Sequence, residues 1–172
     1  LTLGQAHGQT VETPAQFAYL IDLSSNTVLL EKTADVPTAP ASMSKMMTVL
    51  MVLERLKSGA LKLDDTFPVS EKAWKKGGSK MFVKVDTRVR VDDLLRGIIV
   101  QSGNDACIVV AEALAGSEAA FAAQMTAKAR ELGLTNSKFV NATGWPEDGH
   151  VMSSKDLATL AQILVTDYPE FY

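Results

Sequence analysis

One cysteine, two histidines and few aromatic side chains (6% of 172 residues) leave little with which to build several kinds of site. A lone Cys107 closes no internal disulfide and supplies no multi-cysteine zinc site. His7 and His150 lie far apart and match no metal-ligand spacing, so neither a metal nor a cofactor is expected. Charge of one sign is lacking too. The net charge of −3 provides no basic footprint for a nucleic acid, and no nucleic-acid partner is expected. Eleven glycines and six prolines, scattered, are too few for a disordered or collagen-like chain. The longest apolar run, residues 46–53, is interrupted by Thr48 and closed by Glu54. It falls well short of the roughly 20 residues a bilayer-crossing helix needs. No basic segment followed by an apolar one opens the sequence, so any secretory leader is expected to have been removed already.

What remains is an ordinary globular composition, 47% hydrophobic and 22% charged, of a length that suits one domain. Residues 1–15 are expected to form an N-terminal arm and residues 16–172 the body. Residues 16–23 alternate as a strand whose two faces are both mostly apolar, as in a strand covered on two sides. The turn residues Ser24, Ser25, Asn26 and Thr27 lead to a second strand at 28–32, which makes a hairpin. A loop with Pro37 and Pro40 follows. Residues 42–56 read as a helix that is apolar nearly all round, which belongs in the middle of a fold, and Gly59 ends it. Short strands are expected at 66–69 and 89–91, with a polar loop at 75–78.

Asp92 is expected to cap a helix that stops at Ser102 and Gly103. A second helix opens at Asn104 and ends at Gly116, and Ser117 caps a third. Residues 141–149 have loop composition. Ser153 and Asp156 form a candidate capping box before a last helix at 157–165. The order, strands first and then many helices, fits an α/β or α+β domain with helices packed on a sheet, although one hairpin and two short strands make a small sheet.

Two short motifs carry chemistry. Ser42-Met43-Ser44-Lys45 is an S-x-x-K at the start of the apolar helix, and residues three apart share a helical face. A serine hydroxyl is a weak nucleophile that needs a base beside it. A lysine serves as that base only when its amine is neutral, a state favoured by burial and by the positive end of a helix dipole. Taken alone, the same four residues also describe a capping serine followed by a solvated lysine. Ser102-Gly103-Asn104 sits between two apolar helices. There Ser102 could relay a proton to Lys45 and the Asn104 amide could bind a substrate backbone. A plain helix stop and cap would produce the same tripeptide.

Together the two motifs resemble those of the penicillin-recognising serine enzymes, whose set is S-x-x-K, S-x-N and K-T-G. Residues 34–48, 95–107 and 132–137 extend the resemblance to the D-alanyl-D-alanine carboxypeptidases, the low-molecular-mass penicillin-binding proteins. It covers about residues 16–172. It implies a mixed α/β, β-lactamase/transpeptidase-like fold with helices packed on an antiparallel sheet. It also implies a serine D,D-carboxypeptidase that removes the terminal D-alanine from peptidoglycan stem peptides, acts at the extracytoplasmic face of a bacterial inner membrane, and is acylated by β-lactams. By that resemblance Ser42 is the nucleophile and Lys45 takes its proton. Ser102 passes a proton to the leaving D-alanine, while Asn104, with Gly103 in the same turn, holds the substrate.

No K-T-G occurs in the sequence; Lys32-Thr33-Ala34 comes close but precedes Ser42. The expectation is therefore a chain that stops before that motif. The C-terminal sheet strands, any membrane anchor and the remainder of the domain would then lie elsewhere, in a separate segment. A β-lactamase or esterase of the same fold, or an inactive fragment, are the alternatives. Glu147 is assigned no role as a base, His150 and Cys107 are read as structural, and the Asn141-Ala142-Thr143 sequon as irrelevant. The methionines of the first helix are read as core that keeps the Lys45 amine dry.

Overall fold

The computed structural model describes residues 11–171; Leu1–Thr10 of the expected arm lie outside the described residues. Two antiparallel strands, β1 (Ala18–Asp22) and β2 (Thr27–Lys32), form the opening hairpin. A bulge between Leu20 and Ile21 skips Leu29, which has no opposite residue in the register. A second pair, β3 (Thr66–Pro68) with β4 (Arg88–Arg90), makes a separate two-stranded sheet. The helices are α1 (Lys45–Lys57), α2 (Glu71–Lys75), α3 (Val91–Gln101), α4 (Asn104–Ala115), α5 (Glu118–Glu131) and α6 (Ser154–Asp167). A 3₁₀ turn, Ala41–Ser44, leads straight into α1.

The helix that is apolar all round lies at the centre, as its pattern requires. α1 packs against α3, α4, α5 and α6 together. Met47, Leu50 and Val52 of α1 meet Leu94, Ile108, Phe121, Met125 and Leu160 in one core, and all are essentially sealed from solvent. Each such side chain stabilises the fold by roughly 1.5–3 kcal/mol relative to exposure. The middle of α4, from Ala106 to Ala111, is buried on every face. No single helix among the described residues is long and apolar enough to cross a membrane.

Four local expectations need correction. The hairpin is not covered on two sides: Leu20, Val28 and Leu29 are each more than two-fifths exposed, because α6 is the helix that packs on it and lies chiefly against β1. A helix, α2, occupies 71–75 just before the expected polar loop; the Ser70 hydroxyl caps it by accepting from the Ala73 N–H at 3.0 Å. Arg90, not Asp92, is the residue before α3, and Asp92 lies within its first turn, where it pairs with Arg96. The capping box is half formed. Ser153 accepts from the Asp156 N–H, but the Asp156 carboxylate turns away to accept from the Asn136 N–H and the Ser137 hydroxyl.

Candidate active site

Ser42 is exposed in the 3₁₀ turn and Lys45 is the first residue of α1, so the two stand three positions apart on one face. Ala41 precedes them in the left-handed region at φ 48°, a conformation that costs a non-glycine residue free energy and bends the chain sharply into the helix. The Lys45 side chain, only 4% exposed, reaches the Ser42 Oγ at 3.0 Å. Its amine also donates to the Thr143 carbonyl at 2.6 Å. Burial holds the Lys45 amine below the usual lysine range. A thiolate at Cys107 would oppose this shift. However, burial pushes that thiol up to about 12, so it is uncharged where the amine titrates. The ammonium of Lys76 adds a smaller push in the same direction as burial.

Thr143 reaches the amine because the 141–147 loop is organised by one side chain. Asn141 Oδ1 accepts from the Thr143 N–H, the Thr143 hydroxyl and the Gly144 N–H at 2.9–3.1 Å. Its Nδ2 donates to the Trp145 carbonyl and to Glu147. Gly144, at φ +79°, lies so close to the 3₁₀ turn that a Cβ there would sit 1.9 Å from the Ala41 carbonyl oxygen. The loop is fastened again where the Thr48 hydroxyl donates to the Ala142 carbonyl at 2.8 Å.

Ser102 ends α3 in the left-handed conformation, φ 54° and ψ 37°. It lines a cavity of about 440 Å³ together with Ser42 and Lys45. The rest of that cavity is apolar, walled by α1, α3 and α6 through residues such as Val49, Ile98 and Leu164. Asn104 and Gly103 stand differently. Asn104 is buried, donates its Nδ2 to the Gly77 carbonyl at 3.0 Å and its backbone N–H to Ser79 at 2.8 Å. Gly103 is buried as well, and its N–H is taken by the Gly97 carbonyl at 2.9 Å. The structure thus gathers Ser42, Lys45 and Ser102 on one cavity and sets the Gly103–Asn104 turn against the 77–79 loop.

Sequence reasoning missed the Thr143 carbonyl and the Asn141 side chain that presents it. A backbone oxygen leaves no residue-type signal, and Asn141 was visible only as part of a sequon. That asparagine is buried with both ends of its amide engaged. His150, read as structural, is buried; its Nδ1 accepts from the Val140 N–H and its ring forms a T-shaped pair with that of Phe139.

This architecture, helices around a buried α1 with small antiparallel sheets, is the mixed α/β fold of the penicillin-binding proteins. Its solved neighbours include the D-alanyl-D-alanine carboxypeptidase DacD from Francisella tularensis, with a TM-score of 0.94 and 36% identity over 97% of this chain and 40% of that one. Penicillin binding protein 5 from Haemophilus influenzae superposes with a TM-score of 0.88 at 34% identity, covering 97% of this chain and 48% of that one. The D-alanyl-D-alanine carboxypeptidase DacF of Bacillus subtilis is 42% identical over 151 residues, 88% of this chain and 39% of the relative. The chain belongs to the D-alanyl-D-alanine carboxypeptidase family, peptidase S11, whose profile it matches over residues 4–172. It spans about two-fifths of the length of the curated relatives it matches.

Proposed function

We propose that this chain carries the nucleophile-bearing part of a serine D,D-carboxypeptidase that removes the terminal D-alanine from peptidoglycan stem peptides. The observation that carries the reading is the buried Lys45 amine, held between the Ser42 hydroxyl at 3.0 Å and the Thr143 carbonyl at 2.6 Å. An ammonium at that distance donates to the Ser42 oxygen; a free amine accepts the hydroxyl proton instead. Burial favours the free amine and therefore the base. The Thr143 carbonyl takes one N–H and leaves the lone pair to be aimed at Ser42.

The reaction then runs in two halves. Ser42 Oγ gives its proton to Lys45 and attacks the carbonyl of the penultimate D-alanine. The Ser42 backbone N–H lies in the first turn of its helix, where N–H groups have no intrahelical acceptor, and contributes one donor to the developing oxyanion. The C–N bond breaks, and the proton passes through Ser102 to the departing amine of D-alanine. Asn104 holds the substrate amide, with Gly103 shaping the turn. Water, deprotonated by the same amine, then hydrolyses the ester on Ser42. A β-lactam enters as the substrate does, but its ring opens without a leaving group and the adduct persists. Supporting this reading are family membership and the penicillin-binding neighbour. The substrate also argues for action outside the cytoplasm, where peptidoglycan lies.

The test uses the intact protein with a fluorescent penicillin and a peptide ending in D-Ala-D-Ala. Long-lived labelling with release of free D-alanine is the expected result. Rapid turnover of the penicillin without D-alanine release would transfer the protein to the β-lactamases, and no labelling would overturn the reading.

A further inference from the structure

Asp105 follows the S-G-N tripeptide and is completely buried, yet its carboxylate faces no cation among the described residues' ion pairs. It faces backbone instead. Oδ1 accepts from the Met81 N–H at 3.0 Å and the Ala106 N–H at 2.9 Å, and Oδ2 accepts from the Val83 N–H at 3.1 Å. Three converging N–H donors, two of them from a loop more than 20 residues away in sequence, call for a group that accepts at both ends. The same loop meets Asn104 twice, through Ser79 and Gly77. The bond to the Gly77 carbonyl settles which end of the Asn104 amide faces the loop, turning Nδ2 toward it and Oδ1 away. Gly78 lies so close behind that a Cβ there would be 2.7 Å from Nδ2.

We propose that Asp105 is a positioning residue: its carboxylate fastens residues 77–83 to the S-G-N turn and thereby fixes the direction in which the Asn104 amide meets a substrate. The proposal rests on the reading of Ser42, Lys45 and Asn104 as parts of an acyl-transfer site. Asp105 touches neither Ser42 nor Lys45. Its loss therefore weakens reactions that use the Asn104 amide and spares those that use only the serine and its base.

The experiment compares two reagents on the intact protein. A penicillin with an acylamino side chain carries the amide that Asn104 would hold. A small phosphonyl fluoride carries none: Ser42 Oγ bonds to phosphorus, fluoride leaves, and Lys45 takes the proton. Asp105→Asn, nearly isosteric but with an NH2 facing N–H donors, is expected to slow penicillin acylation roughly 10- to 100-fold, as small misplacements in a site do. Phosphonylation stays unchanged. Asn104→Ala gives a similar loss, and the double variant is no slower than Asn104→Ala alone, because both changes act through one amide. Backbone hydrogen exchange at Met81 and Val83 quickens in Asp105→Asn.

Penalties that multiply in the double variant, equal losses with both reagents, or undiminished penicillin acylation would each overturn the proposal. Asp105→Ser, which leaves room for a water, takes the place of Asp105→Asn if the latter does not fold; failure of both assigns Asp105 to folding alone and overturns it too. Unmodified protein that ignores penicillin would instead remove the acyl-transfer reading, and the proposal with it. The two failures are told apart by the unmodified protein alone.

Discussion

The amine of Lys45 and the carbonyl of Thr143 are 2.6 Å apart, although 98 residues separate them in the chain. The same amine lies 3.0 Å from the Ser42 Oγ. The Thr143 contact gives the lysine one fixed partner inside the protein, so the amine is oriented before any substrate arrives. Preorganisation of this kind counts because a base that must first be turned toward its proton loses part of its effect.

Removing the hydroxyl or the amine should separate their roles. Ser42→Ala is expected to abolish labelling by a fluorescent penicillin with the fold unchanged by circular dichroism. Lys45→Ala should leave Ser42 in place but slow acylation by about 10²- to 10⁴-fold, the usual worth of a positioned base. Labelling that survives in Ser42→Ala would mean that another residue is acylated.

The pH dependence of acylation follows from the buried amine. Acylation should rise with pH as Lys45 loses its proton and level off once the amine is free. Because burial lowers the titration of Lys45, that rise should fall below the ordinary lysine value of about 10.4. A rise found only in the ordinary lysine range would refute the amine as base. The measurement is the second-order acylation rate across pH, on protein checked for stability at each point.

Asn141 and Gly144 are expected to matter to both stability and rate. Asn141→Ala strips acceptors from three donors at once, two of them backbone N–H groups, and should destabilise by about 1–3 kcal/mol. Acylation should fall as well, since the Thr143 carbonyl loses its support. Gly144→Ala meets the Ala41 carbonyl head on at a positive φ, and a larger loss is expected. Denaturation midpoints together with labelling rates check both; an unchanged midpoint in Gly144→Ala would mean that the loop stands further off than the structure places it.

His150 provides a stability test in acid. Burial lowers its pKa, with the nearby Glu147 opposing, and its Nε2 is buried without a hydrogen-bond partner among the described residues. Above the unfolded value near 6.5 the ring is neutral in both states and costs nothing through charge. As pH falls through that value the unfolded chain takes up a proton that the folded chain does not, so stability drops. His150→Phe should flatten the dependence between pH 7.5 and 5; an unchanged slope would assign the acid sensitivity elsewhere.

Much of this was legible in the residues. The apolar circumference of α1 foretold a central helix, and helix ends fell at Gly59, Gly116 and Ser117 because glycine and capping serine act locally. Ser42 and Lys45 could be paired from their spacing alone, since a helical turn brings residues three apart together. α2 was missed because five residues rich in lysine show no apolar stripe. The cover of the hairpin was misjudged because a strand's own pattern does not say how many neighbours it has.

The sequence by itself determined the long helices, the serine–lysine spacing and the S-G-N junction, all of which depend on contacts within a few residues. Only the tertiary structure decided what faces them: the Thr143 carbonyl against Lys45, the Gly77 carbonyl against Asn104, and the loop amides against Asp105. Those partners are backbone groups brought in from 22 to 98 residues away. Every residue type carries the same carbonyl and nearly the same N–H, so the identity of the amino acid holds no record of which one arrives.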